Sequence, residues 1–339
     1  MSTTTTHPGA LVISLDLELH WGVRDRRNLD QRERERLLSA RTAALRIAEV
    51  FEEFSVHATW AAVGFLLARS REDLERFAPS RRPRYDDPRL DPYREQTGRG
   101  EADDPFHFAP GLIDAIAVRA GQEIGTHSFS HFYCCESGQS SLEFEADLSS
   151  ALAIAAASGY GIRSYVFPRN QVNPGYLPFL KRAGILCYRG TQASAATQAA
   201  SFRLQQRPDR RLLRLCDNYF DLYGAQTVPW PSGAGPSSIG ASRYLRPHNG
   251  LLRGFDDLRC RRIVNAMEAA AAGGELLHLW WHPEDFARDL DRNLQFLRRI
   301  LAEWARLRRQ AGMLSLSMSE VVQGMNNVRT VPAMAGNSI

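Results

Sequence analysis

The stretch ALVISLDLELHWGVRDRRNLDQRERERLLSARTAALRIAEVFEEFSVHATWAAVG, residues 10–64, reads as strand, helix, strand. Ala10–Leu17 is a short apolar run, Gln31–Phe54 is long and charged on one side, and Ala58–Gly64 is a second apolar run. A crossover of that length lets the two strands lie parallel. The alternation continues along the chain. Strands are expected at Gln122–Thr126, Ser164–Phe167, Ile185–Tyr188, Glu275–Trp281 and Leu314–Leu316. Helices are expected at Gly111–Arg119, at Leu142–Ala157 behind the Ser140/Glu143 capping box with Gly159 as its stop, at Tyr176–Ala183 and at Asp256–Ala271. The last long helix carries the stripe Leu290, Leu294, Leu297, Leu301 and Trp304 and stops at Gly312. This order describes a parallel α/β architecture, not separate helical and β halves.

Two segments interrupt the pattern. Residues 79–105 are rich in Arg, Asp, Pro and Gly without periodicity, which reads as a mobile surface insertion or lid. Residues 192–250, which include PWPSGAGPSS, form a second insertion with at most a few short strands. Residues 1–325 are expected to be a single barrel domain, with a disordered tail at 326–339 and no internal repeat.

The chain has 339 residues, enough to bury a large core without a disulfide or a metal to hold it together. Its 44% apolar and 24% charged residues exclude a disordered or collagenous chain. A net charge of +4, from 42 basic and 38 acidic residues, points to no nucleic-acid partner. The five cysteines lack CxxC spacing, so neither a disulfide framework nor a cysteine zinc site is expected. The N-terminus lacks the pattern of a secretory signal, and no window is apolar for the ~18 residues of a membrane span, so a cytoplasmic protein is expected. The oligomeric state stays open.

Four segments carry side chains suited to chemistry. On the first strand, alternation puts Ser14, Asp16 and Glu18 on one face, and two carboxylates projecting together call for a cation or an arginine between them. In EIGTHSFSH, His127 and His131 are four apart after a strand; a helical turn there would face both imidazoles toward one divalent metal. In ELLHLWWHPEDF, alternation sends His278, Trp280 and His282 to one face, His282 being best placed at the strand end. In SYVFPRNQVNPG, Arg169, Asn170 and Gln171 are donors suited to orienting a carboxylate or a substrate.

An acidic pair on the first strand, HSxxH after a later strand, a Pro/Arg strand end and a last strand closing on His resemble the polysaccharide deacetylase family, also called NodB-homology or carbohydrate esterase family 4. The resemblance spans about Ala10–Val322. It implies a distorted (β/α) barrel of about seven parallel strands, with one divalent ion, zinc foremost and Co, Mn or Ni as alternatives. It assigns Asp16 as general base, Glu18, His127 and His131 as metal ligands, and His282 as the acid that protonates the leaving amine. The family's arginine before the motif proline falls at Val166, which leaves Arg169 as the candidate replacement, and its Asp/Trp motif behind the catalytic histidine has no clear match. The implied activity is removal of an N-acetyl group from a sugar or sugar-linked precursor of a surface polysaccharide. Relatives that open ureides such as allantoin, and a barrel that binds carbohydrate without turnover, are the alternatives.

Overall fold

The computed structural model describes residues 7–191, 215–217, 219, 222–233 and 235–329. Among them, nine parallel strands form one curled sheet. They are β1 (Ala10–Leu17), β2 (Ala58–Ala62), β3 (Gln122–Thr126), β4 (Ser164–Tyr165), β5 (Cys187–Gly190), β6 (Ser237–Gly240), β7 (Arg243–Tyr244), β8 (Leu276–Trp281) and β9 (Leu314–Leu316). The order across the sheet is β6-β5-β4-β3-β2-β1-β8-β7. β9 shares an edge of β1 with β2, pairing residues 10–12 while β2 pairs residues 14–17.

The edge strands β6 and β7 are consecutive, joined only by Ala241 and Ser242. Ala241 N donates to Gly190 O on β5 and Ser242 N to His278 O on β8, so the chain itself crosses the seam. This is the expected distorted (β/α) barrel, with nine strands in place of about seven. The additional ones are short and fall in the stretch 192–250, where the sequence has no readable period.

The helices are α1 (Gln31–Phe54), α2 (Arg71–Phe77), α3 (Pro110–Ala117), α4 (Ser141–Ala157), α5 (Leu177–Arg182), α6 (Asp256–Gly273), α7 (Pro283–Phe286), α8 (Leu290–Ala311) and α9 (Met318–Arg329). Their ends follow local chemistry. Ser140 and Glu143 make the reciprocal capping box at α4, and Gly312, with φ 66°, takes the left-handed position that stops α8. Leu294, Leu297, Leu301 and Trp304 are at most 1% exposed, and each such leucine stabilises the fold by about 1.5–3 kcal/mol. They share one core with Leu11, Ile13, Leu15 and Leu17 of β1 and with Ile47 and Phe51 of α1. The opposite face of β1, with Ser14 and Asp16, is left to line the barrel interior.

Several boundaries differ from expectation. β4 ends at Tyr165, because Pro168 closes the following turn Pro168–Asn170. β5 runs two residues beyond Tyr188 to Gly190, which brings Arg189 into the sheet. α9 extends to Arg329, past the boundary expected at 326, while residues 330–339 and 192–214 lie outside the described residues. Residues 79–105 make specific contacts with the barrel and with one another. Tyr85 and Leu90 are buried, Arg24 donates to the carbonyls of Arg89 and Leu90, and Arg41 pairs with Glu101. Asp87, Asp91 and Asp103 accept backbone N–H groups of the segment itself, so its acidic residues order it without any hydrophobic period.

Candidate metal centre

All eight residues of β1 are buried, and Glu18 follows it directly. Asp16 is 2% and Glu18 5% exposed, so the two acids are not a solvated strand end. A carboxylate at that depth needs a counter-charge. Arg189 supplies it to Asp16, with Nη1 donating to Oδ1 at 2.5 Å and Nη2 to Oδ2 at 2.6 Å. The guanidinium also donates to Ser14 Oγ at 3.2 Å and to Asn170 Oδ1 at 2.8 and 3.0 Å, and lies 4.5 Å from the Trp280 ring centroid. Burial alone would raise the Asp16 carboxyl, but Arg189, with the His127 and His282 rings, outweighs it and holds the group below the usual carboxylate range.

Glu18 faces the histidines. Its Oε1 is 2.9 Å from His127 Nε2 and 3.3 Å from His131 Nε2, and both rings are buried. The helical turn expected to align them does not form. Residues 127–131 are a loop in which Ser128 (φ 64°) and His131 (φ 57°) take left-handed backbone. Asp147, buried in α4, holds that loop by accepting from Phe129 N at 2.8 Å, Ser130 N at 3.1 Å and the Ser130 hydroxyl. Gly22 is required on the other side, because a Cβ there would overlap the Glu18 carboxylate.

His282, at the end of β8, completes the cluster. Its Nε2 is 3.7 Å from Asp16 Oδ2 and 3.6 Å from Glu18 Oε1, and its Nδ1 is 3.3 Å from Asp285 Oδ2. Burial works against its charge, but Glu18 and Asp285 outweigh that and hold the imidazole well above its usual pKa. These contacts favour the charged form of each group, the imidazolium of His282 and the carboxylate of Asp16.

The remaining candidates lie around this cluster. Asn170 and Trp280 brace Arg189, from its edge and from its face. Arg169 does not reach Asp16; it pairs with Asp25 at 2.5 Å and Glu136 at 3.2 Å and lies over the Tyr133 ring. His278 is 0% exposed and bonds Ser14 Oγ at 2.8 Å, so it supports the network from beneath instead of facing an opening. Burial, with the nearby Arg189 charge, pushes its pKa down to about 3. The unfolded chain binds a proton at this residue from about pH 6.5 downward, and the folded protein refuses it until about pH 3. Stability should therefore fall through that window by about 1.4 kcal/mol per pH unit. Urea unfolding across the window should show the decline, and His278→Asn should remove this residue's share of it while that of His131 persists above about pH 4; an unchanged slope would exclude His278 as a source.

Glu18, His127 and His131 offer one carboxylate oxygen and two imidazole nitrogens within 4.8 Å of one another. That set suits a zinc-class ion and leaves a coordination position over. Burial pushes His131 down to about 4, which keeps its imidazole neutral, as a ligand must be. Asp16, Glu18 and His282 make an overlapping group, but both Asp16 oxygens are taken by Arg189. Three supporting residues escaped the sequence reading. Asp285, three residues after a His-Pro strand end, had a signal in its capping position. Arg189 had only the Tyr-Arg-Gly end of a weak strand, and Asp147 was one acid in an alanine-rich helix.

The chain matches no family model and no curated protein. Its fold is shared with solved structures. A Mycobacterium smegmatis protein assigned as a polysaccharide deacetylase superposes with a TM-score of 0.61 at 14% identity, covering 100% of this chain and 97% of that one. Puue allantoinase superposes at 0.56 with 14% identity, covering 98% and 94%. A Pseudomonas aeruginosa PAO1 protein assigned as a polysaccharide deacetylase superposes at 0.56 with 11% identity, covering 96% and 93%. The barrel is thus that of polysaccharide deacetylases and of an allantoinase, by fold.

Proposed function

We propose that the protein is a metal-dependent hydrolase that cleaves an amide C–N bond, removing the N-acetyl group of a sugar or sugar-linked precursor. The observation that carries this reading is a base held ionised and an acid held protonated beside a metal-ligand triad: Asp16 on Arg189, His282 on Asp285, both against Glu18. Glu18, His127 and His131 would hold the ion, which supplies Lewis acidity toward the amide carbonyl and makes water a nucleophile near neutral pH. Asp16 accepts the proton of the attacking water, and its fixed contact with Arg189 sets the direction of that transfer. As the C–O bond forms and the C–N bond breaks, His282 gives its Nε2 proton to the departing nitrogen, and the products are acetate and a free amine. Trp280, beside Tyr244 and His282, offers an aromatic surface for a sugar ring.

The fold shared with an allantoinase favours one second reading, ring opening of a small ureide, because it breaks the same kind of bond with the same acid and base. The test uses metal-stripped protein reloaded with Zn²⁺, or with Co²⁺, Mn²⁺ or Ni²⁺, and offered N-acetylhexosamine oligomers, a nucleotide-linked N-acetylhexosamine and allantoin. Acetate release that disappears in His127→Ala/His131→Ala is the expected outcome. Allantoin loss without acetate would establish the second reading, and neither product from fully metallated protein would exclude both.

A further inference from the structure

A second cluster lies outside this machinery. His20, on the turn Leu19–Gly22 after β1, and His107, just beyond the 79–105 segment, are each 1% exposed. Between them stands Glu95, whose Oε1 is 3.6 Å from His20 Nε2 and 3.8 Å from His107 Nε2. Those separations exceed a hydrogen bond. They come close to the spacing of about 3.3 Å between neighbouring ligands of a tetrahedral ion bound at 2.0–2.1 Å.

The tautomer points the same way. His107 Nδ1 is 2.8 and 3.0 Å from the two oxygens of Asp104, so it donates there and leaves Nε2 to face Glu95. That Nε2 is buried and has no hydrogen-bond partner, and neither has His20 Nδ1. Once His107 Nε2 has lost its proton it faces the Glu95 carboxylate lone pair to lone pair, a repulsion that a cation between them removes. A carboxylate fixing the far nitrogen of a histidine is also the usual backing of a metal-bound imidazole. Glu95 borders a groove of about 480 Å³ with Trp21, Tyr93 and Gln96, which gives an ion a way in and leaves room for a further ligand.

We propose that His20, Glu95 and His107, backed by Asp104, form a second divalent-metal site of the zinc class, which clamps the 79–107 segment to the turn following β1. Two nitrogens and one carboxylate oxygen select Zn²⁺, Co²⁺ or Ni²⁺ over Mg²⁺ and Ca²⁺. The site shares no ligand with the Glu18 centre, so the two can be counted separately.

The test is metal content of the full chain after chelation, reloading with Zn²⁺ and dialysis, read beside the visible spectrum of the Co²⁺ form. Two ions are expected in the wild type, one in Glu95→Gln and one in His127→Ala/His131→Ala. In the latter background, Zn²⁺ at about a hundredfold its Kd should raise Tm by ~5 °C, and Glu95→Gln should remove that rise. Because Glu95 is partly exposed, this variant should keep the fold even where a histidine variant does not. A single ion in the wild type that Glu95→Gln removes would support the clamp and refute the Glu18 centre. A metal count and Co²⁺ spectrum unchanged by Glu95→Gln would overturn the proposal and leave an ion-paired latch of Glu95 with the two histidines.

Discussion

Asp16→Asn is expected to lower kcat by about 10²- to 10⁴-fold while metal uptake stays at the wild-type level. The asparagine keeps the shape and depth of the side chain but cannot accept the proton of the attacking water. It stands outside the ligand set, since both Asp16 oxygens are engaged by Arg189, so Glu18, His127 and His131 are left as they are. The measurement is a progress curve for acetate release beside elemental analysis of the same preparation, at a temperature where circular dichroism shows the variant folded. A rate unchanged by the substitution would mean that the barrel binds carbohydrate and that any acetate comes from elsewhere.

Arg189→Met is expected to cost about 3–5 kcal/mol of stability, the largest loss from any single change in this network. It leaves the Asp16 carboxylate 2% exposed with only the His282 ring, 3.7 Å away, in place of a bidentate guanidinium, and removes the group that Ser14, Asn170 and Trp280 all contact. The cost belongs to the uncompensated charge, not to the lost pair. Asp16→Asn/Arg189→Met should therefore recover much of what the single variant loses. Urea unfolding of the wild type, both single variants and the double variant gives the coupling directly. Losses that simply add would show that Asp16 and Arg189 do not act on each other in the folded protein.

Arg189 also marks where the sequence stops being readable. The barrel was legible because strands buried on both faces read as apolar runs, and because long amphipathic helices separate them. Asp16, Glu18 and His282 were legible because strand alternation at or near a strand end says which way a side chain points, and His127 and His131 because of their spacing just after a strand. Their partners were not. Arg169 stands beside the motif proline, yet its backbone takes φ 56° and sends the side chain to Asp25 and Glu136, while the arginine on Asp16 comes from a strand that ends two positions past its apolar pattern. The histidine loop shows a further limit. A four-residue spacing suggests a helical turn, but Asp147 fixes left-handed backbone there through three hydrogen bonds from a helix that no local pattern connects to residues 128–131. Residues 79–105 look loose because their order comes from carboxylates capping their own backbone, which leaves no hydrophobic period to detect.

The position of β1 has a consequence for how the molecule assembles. The strand nearest the start of the chain has β8 along one side and β2 and β9 along the other, so its pairing is incomplete until residue 316 is available. Such contacts join the two ends of the sequence and are the slowest to close. During synthesis, β1 can pair with β2 early, but its other side stays open until β8 has been made. The pairing of β8 with β1, one of the late ones, also sets His282 beside the two acids, so the acid–histidine cluster comes together only when the barrel is nearly complete.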